Sequence, residues 1–405
     1  MRSSLQFSLS LMMFLEYFVW SAWYVTMGTY MGTHLSSTGV EIGAAYSALA
    51  IATMISPFFI GMVADRYFPA QRLLGFLHLS GAIVLYLSTL ITSNSGFYWI
   101  ILLYSLLYMP TIALTNSIAF NQMNDPGKQF PWIRVFGTIG WIAAGFLIGQ
   151  LMIEKTQSTF YMAAAASVAL GIFSFFLPDT PPRAKGMPRT AGSAMGTEAF
   201  VLFRDRSYLI FFISAILICI PLAFYYGFAN PFLNEVRMNN AAGNMILGQV
   251  SEAVFILAIP FLFNRIGVKR MLLIGMSAWV LRYLAFAYGD AQSYLWLLYA
   301  GIILHGVCYD FLFVTGYMYT EKKAGEKIKN AAQGLFTFAT YGAGMFVGTW
   351  VSGFVVDQYK LTEGHDWKMI WYVPAATALV VMLYFIFAFR ERKQVLKTSD
   401  QSLNT

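Results

Sequence analysis

Residues 130–142 read FPWIRVFGTIGWI, and the segment they open decides what kind of chain this is. From Ile133 to Met152 the run is apolar. Its length is the ~20 residues that carry a helix across a bilayer. A turn inside the segment sits Arg134, with Thr138 four residues on and Trp141 three beyond that. At ~100° per residue these positions share one helix face. A cation, a hydroxyl and an indole on one face of a membrane helix mark a place that holds something polar.

The surrounding chain fits that reading. Of 405 residues, 58% are hydrophobic and 11% charged, where a soluble protein carries about 25% charged residues. Apolar blocks of spanning length recur at about 7–32, 40–64, 71–92, 98–121, 133–152 and 158–177. A second set follows at 208–231, 241–264, 270–289, 294–319, 331–355 and 368–389. The expectation is an all-α membrane protein of twelve transmembrane helices. Pro178–Arg206, rich in Pro, Gly and Arg, is too polar to span and divides the blocks six and six. The expected organisation is a first bundle over 1–177, a linker over 178–206, a second bundle over 207–390 and a tail over 391–405. The basic-then-apolar start lacks a small-residue cleavage site and stays apolar to about Thr29, so it reads as a retained first helix.

The net charge of +7 is a topology signal rather than a nucleic-acid footprint. With an even number of spans, 20 of the 26 Lys and Arg fall on the side of both termini, four on the other side, and Arg134 and Arg282 within spans. Lys and Arg mark cytoplasmic loops, so both termini and the linker are expected in the cytoplasm. Cys219 and Cys308 sit in apolar blocks as small hydrophobes. No metal-ligand spacing and no G-x-x-x-x-G-K-[ST] phosphate loop occurs, so no cofactor, metal or ATP-driven step is expected. The halves also echo each other: GMVADRYFPAQR (Gly61–Arg72) follows the second span and FLFNRIGVKR (Phe261–Arg270) follows the eighth. Such duplication is common in secondary transporters.

Twelve spans, a long central loop and Gly61, Asp65 and Arg66 after the second span resemble the major facilitator superfamily, although Phe68 and Pro69 depart from its loop pattern. More narrowly, FPWIRVFGTIGWI, QVSEAVFILAIPF (Gln249–Phe261), AWVLRYLAFAYGD (Ala278–Asp290) and HGVCYDF (His305–Phe311) resemble the nucleoside:proton symporter family. The resemblance implies two pseudo-symmetric six-helix bundles, alternating access, uptake of a nucleoside with protons, a lipid-embedded monomer and a place in the bacterial inner (cytoplasmic) membrane.

Ionisable groups inside a bilayer are costly and are functional candidates by default. Here they are Glu16, Arg134, Glu252, Arg282 and Asp310, joined by His78 and His305. Gln249 shares a face with Glu252, Tyr226 with Asn230, and His305 with Tyr309. The resemblance implies that Arg134, Thr138, Trp141, Gln249 and Glu252 line the nucleoside site, and it places aromatic or hydrogen-bonding residues at His305 and Tyr309. Span seven departs from the side-chain amides the family uses there; Tyr226 and Asn230, four residues apart on one face, are expected to complete the substrate-binding set. The resemblance also marks Asp310 as a proton-coupling candidate, alongside Glu252. Gly61, Asp65 and Arg66 are expected to form a conformational gate on the cytoplasmic side. The plainer alternatives are an Arg134–Glu252 ion pair that only locks the halves, and an Asp310 satisfied by hydroxyls such as Thr315. Arg282 is expected to snorkel or meet a nearby acid, and His78 to pack near the cytoplasmic end of its span. Two rival functions stay open: a symporter for a sugar or other small polar solute, and a membrane-embedded sensor or enzyme.

Overall fold

The computed structural model describes residues 3–59, 67–182 and 197–390. Gly61, Asp65 and Arg66, the stretch 183–196 and the tail lie outside the described residues. Among the described residues twelve long helices follow in order: α1 (Ser3–His34), α2 (Gly39–Phe59), α3 (Ala70–Ser88), α4 (Asn94–Asn121), α5 (Pro126–Leu151) and α6 (Ser158–Ser174). The second set is α7 (Arg206–Glu235), α8 (Ala241–Ile266), α9 (Val268–Tyr288), α10 (Leu295–Gly325), α11 (Lys327–Gln358) and α12 (Trp367–Ala388). Eleven have the length and composition of a membrane span; α6 is apolar but shorter. Among the described residues the one extended pairing is an isolated bridge between Lys360 and His365.

Successive helices run in alternating directions, so the ends of even-numbered helices return to the face where α1 begins, here the terminal face. The opposite face is the distal face. Side chains close the helix starts: Ser93 accepts from Gly96 N, Asp125 from Lys128 N, Asn240 from Gly243 N and Asp366 from Met369 N. Asp205, at the start of α7, accepts from Ser207 N at 2.8 Å and from Lys323 Nζ at 2.5 Å. Partial burial alone raises the Asp205 carboxyl, but these bonds outweigh it and hold it below the ordinary carboxylate range.

Helices α1–α6 form one bundle and α7–α12 the other. Each buries aromatic and aliphatic side chains inside and exposes others, such as Trp99, Leu257 and Phe387, on the lipid side. The first bundle also holds a closed polar cluster. His78 Nε2 lies 2.9 Å from Glu16 Oε2, Thr111 donates to Glu16 Oε1 at 2.6 Å, and Tyr108 donates to the Glu16 carbonyl at 2.7 Å. His78 thus lies in mid-helix, bonded to an acid, and not at the cytoplasmic end where the sequence put it.

Three helices depart from regular geometry. α1 breaks at Val25–Thr26. α10 widens to a π-helix over Asp310–Val314, and α11 over Phe338–Gly344. Such widened turns concentrate at functional sites.

On the distal face α1 meets α7, and two further helix pairs bring the bundles together: α2 against α11, and α5 against α8. A shift of six helices converts one pair into the other. Glycine makes both approaches possible. A Cβ added at Gly39 would lie 2.5 Å from the Gly353 carbonyl, and one at Gly43 would strike the Thr349 carbonyl. On the mate pair, a Cβ at Gly149 would strike Asn240 Oδ1.

Candidate substrate-binding cavity

A cavity of about 530 Å³ lies between the bundles. Its wall includes Ser56, Asn116, Arg134 and Thr337, from the terminal-face portions of α2, α4, α5 and α11, so it reaches from mid-membrane toward that face. The opening stretch supplies three of its residues. Arg134, Thr138 and Trp141 line it together, as the i, i+4, i+7 spacing requires.

Glycine spacing within the same stretch sets the arginine. A Cβ at Gly137 would lie 2.7 Å from both Arg134 Nη1 and the Tyr17 ring, and one at Gly140 would strike the Phe14 carbonyl. Without those side chains α5 closes on α1, and the guanidinium settles 4.1 Å over the Tyr17 ring. Ser21 donates to the Trp141 carbonyl at 3.0 Å, and the Trp20 ring meets the Trp141 ring edge-on at 5.6 Å. The indole is therefore held from two sides.

The second bundle contributes Tyr226, Gln249, Glu252 and Tyr309 to the wall. Arg134 and Glu252 face the cavity from opposite bundles without an ion-pair contact, so the locking pair is not formed in this state. The Tyr341 hydroxyl donates to the Tyr309 hydroxyl, and Tyr317 and Thr337 are 2.8 Å apart beside them. Tyr17, Trp20, Tyr317, Thr337 and Tyr341 are wall residues the sequence did not single out. Thr337, Tyr341 and Met345 do recur at i, i+4, i+8 on α11, a readable stripe, but 24 tyrosines offer many such stripes.

Two expected substrate contacts lie elsewhere. Asn230 is fully buried on the distal side, where it accepts from Thr29 Oγ1 at 2.5 Å and donates to Glu154 Oε2 at 3.1 Å. It shares a helix face with Tyr226, but one turn further along α7 that face has left the cavity and entered the contact between bundles. His305 is fully buried behind the wall, its ring stacked on Tyr225 at 4.9 Å. Its Nε2 is 3.6 Å from Glu252 Oε2.

Asp310 is fully buried at the start of the α10 π-turn, and neither carboxyl oxygen has a hydrogen-bond partner among the described residues. Thr315 donates to the Asp310 backbone carbonyl instead of the side chain. Arg282 does not snorkel, and among the described residues it meets no acid. It is fully buried, 3.4 Å over the Tyr225 ring, with Trp279 and Phe286 around it.

The distal face is closed by two reciprocal caps. Asp357, ending α11, accepts from Gly39 N at 2.5 Å and Val40 N at 2.8 Å, the first amides of α2 in the other bundle. Glu154, just past α5, accepts from Ala242 N at 2.8 Å at the start of α8. Each carboxylate sits on the positive end of a helix in the opposite bundle. The two are mates under the six-helix shift. A polar recess of about 410 Å³, lined in part by Thr29, Asn234, Asp357 and His365, lies outside this closure.

A membrane protein of two six-helix bundles, with a polar and aromatic cavity between them that is closed at one face, is a transporter of the major facilitator fold and not an enzyme. The family profile described as Nucleoside H+ symporter matches residues 3–394. The protein YegT of Escherichia coli (strain K12) is 42% identical, covering 98% of this chain and 97% of its own length. The xanthosine permease of the same strain is 35% identical over 96% of each chain. A crystal structure of the nucleoside transporter NupG superposes with a TM-score of 0.87 at 33% identity, covering 97% of this chain and all of that one. The chain belongs to the nucleoside H+ symporter family.

Proposed function

We propose that this protein takes up nucleosides together with protons across the bacterial inner membrane, as a monomer, with both termini cytoplasmic. The observation that carries the reading is the cavity wall. It joins Arg134, Thr138 and Trp141 of one bundle to Tyr226, Gln249, Glu252 and Tyr309 of the other. Its volume suits a small ligand. Trp141 offers a flat face for a base. Gln249 and Glu252 supply an amide and a carboxylate for ribose hydroxyls, and Arg134 supplies donors for a base carbonyl.

The transport cycle is alternating access between bundles that move about 1–177 and 207–390 as units, joined by 178–206. The caps by Asp357 and Glu154 support a state closed toward the outside and open toward the cytoplasm. Separating them, while the terminal face closes, exposes the cavity to external nucleoside. Asp310 is the proton carrier. A buried ionised carboxylate with no hydrogen-bond partner among the described residues costs several kcal/mol, and a neutral one costs much less. Glu252, which faces the cavity, links proton and nucleoside occupancy. Gly61, Asp65 and Arg66 gate the cytoplasmic side.

The test is equilibrium binding to purified protein. Uridine binds and Arg134→Ala weakens it, while sugars of similar size do not compete. Equal competition by a sugar, or unchanged uridine binding by Arg134→Ala, refutes the site.

A further inference from the structure

Arg282 is buried, permanently charged, and given no role by the transport cycle above. Its geometry fixes a proton elsewhere. Arg282 Nη1 lies 3.0 Å from His305 Nδ1. A guanidinium has donors only, so the histidine nitrogen facing it must present its lone pair. The neutral imidazole then carries its single hydrogen on Nε2, the nitrogen 3.6 Å from Glu252 Oε2. A second proton on Nδ1 would oppose the Arg282 donor and add a charge beside a fixed cation.

The surroundings hold this line of three in place. The Arg282 guanidinium rests on the Tyr225 ring at 3.4 Å, and the same ring stacks on His305. Glycine brings the helices of His305 and Glu252 together. A Cβ at Gly306 would lie 2.5 Å from Glu252 N, and one at Gly248 would lie 3.1 Å from His305 Cβ. Ser251 donates to the Ile303 carbonyl at 2.6 Å across the same crossing. All these residues belong to the second bundle, so the line moves as one piece while the bundles rock. The titratable and charged groups facing His305 are Arg282, Tyr225, Tyr226, Glu252 and Tyr309.

We propose that Arg282 and His305 are positioning residues for Glu252: Arg282 locks His305 in the Nε2–H tautomer, and His305 presents that N–H to the cavity-facing carboxylate. The 3.6 Å gap is a small rotation from a charge-assisted hydrogen bond, and such bonds commonly tighten only once ligand is bound. His305 is on this account a fixed donor and not a proton carrier. The transport consequence rests on the nucleoside reading of the cavity; the tautomer does not.

Two measurements test the proposal separately. Nitrogen-15 magnetic resonance of histidine-labelled protein, with the His305 signals assigned through a His305→Gln sample, is expected to show a bare Nδ1 and a protonated Nε2 at neutral pH. An Nδ1–H tautomer or an imidazolium overturns the proposal, whatever the protein transports. The second measurement is uridine uptake by His305→Gln and His305→Phe at matched amounts of folded protein. Glutamine can turn its carbonyl to Arg282 and its N–H to Glu252, whereas phenylalanine keeps the stacking and loses both bonds. Loss of a hydrogen bond to a charged group predicts at least about tenfold more uptake for His305→Gln than for His305→Phe. Equal uptake by the two variants, high or low, overturns the positioning role. Arg282→Lys, which keeps a donor, is expected to retain more uptake than Arg282→Met, and equal values count against it. If no variant and not even the unaltered protein takes up uridine, the nucleoside reading has failed and the tautomer result still stands or falls alone.

Discussion

Replacing Asp357 with Asn should tilt the protein toward the state open at the distal face. The carboxylate accepts two amide hydrogens from the first turn of α2, at 2.5 and 2.8 Å, and faces the positive end of that helix. Hydrogen bonds to charged groups contribute roughly 1.5–3 kcal/mol each, and the helix end adds about 0.3–1 kcal/mol. Asparagine keeps one neutral acceptor and turns a donor toward the second amide. The loss is about 2 kcal/mol, which is roughly a thirtyfold change in the ratio of closed to open populations. Glu154→Gln, at the mate position, should act in the same direction, and the double variant should add the two effects because the caps are separate. The assay is a spin-label distance between His34→Cys and Glu363→Cys, on the distal ends of the two bundles. The native Cys219 and Cys308 are buried and stay unlabelled. A longer-distance population should grow in each variant. Distance distributions identical to those of the doubly labelled control, with Asp357 and Glu154 intact, would refute the reasoning.

Three further outcomes follow from the same geometry. Trp141→Ala should weaken uridine binding roughly ten- to hundredfold, the worth of one base–aromatic stack, while Trp141→Phe keeps most of it; calorimetric titration reads both. Gly140→Ala should destabilise the first bundle by about 1–3 kcal/mol, because its Cβ strikes the Phe14 carbonyl, and a detergent melting curve measures it. Asp205 is held below the ordinary carboxylate range, so its stabilising effect is present above about pH 4 and fades as pH falls through the lowered value. Asp205→Asn should therefore melt below the unaltered protein at neutral pH, and the gap should close in acid.

Hydropathy made the twelve helices readable, because a bilayer sets one length for every span. The α5 face was readable for a related reason: regular helix geometry alone decides that Arg134, Thr138 and Trp141 point one way. Where helices depart from regularity the sequence was silent. The break at Val25–Thr26 and the widened turn over Asp310–Val314 carry no proline or glycine of their own, and Gly342 and Gly344 in the Phe338–Gly344 turn read no differently from packing glycines. Asn230 and His305 show a second limit. Their faces were read correctly relative to Tyr226 and Tyr309, but a face can begin in a cavity and end in a packed contact. Arg282 shows a third: three aromatic rings accommodate a buried cation without an acid. The glycines of the distal closure were likewise unreadable, since a close approach is a property of two surfaces.

The most direct test of the central claim is uridine flux in proteoliposomes with an acidic exterior. The protein should accumulate uridine above equilibrium, a protonophore should abolish the accumulation, and Glu252→Gln should fail to accumulate it while remaining folded. Uptake that only equilibrates, or accumulation that survives the protonophore or the Glu252→Gln change, would contradict it.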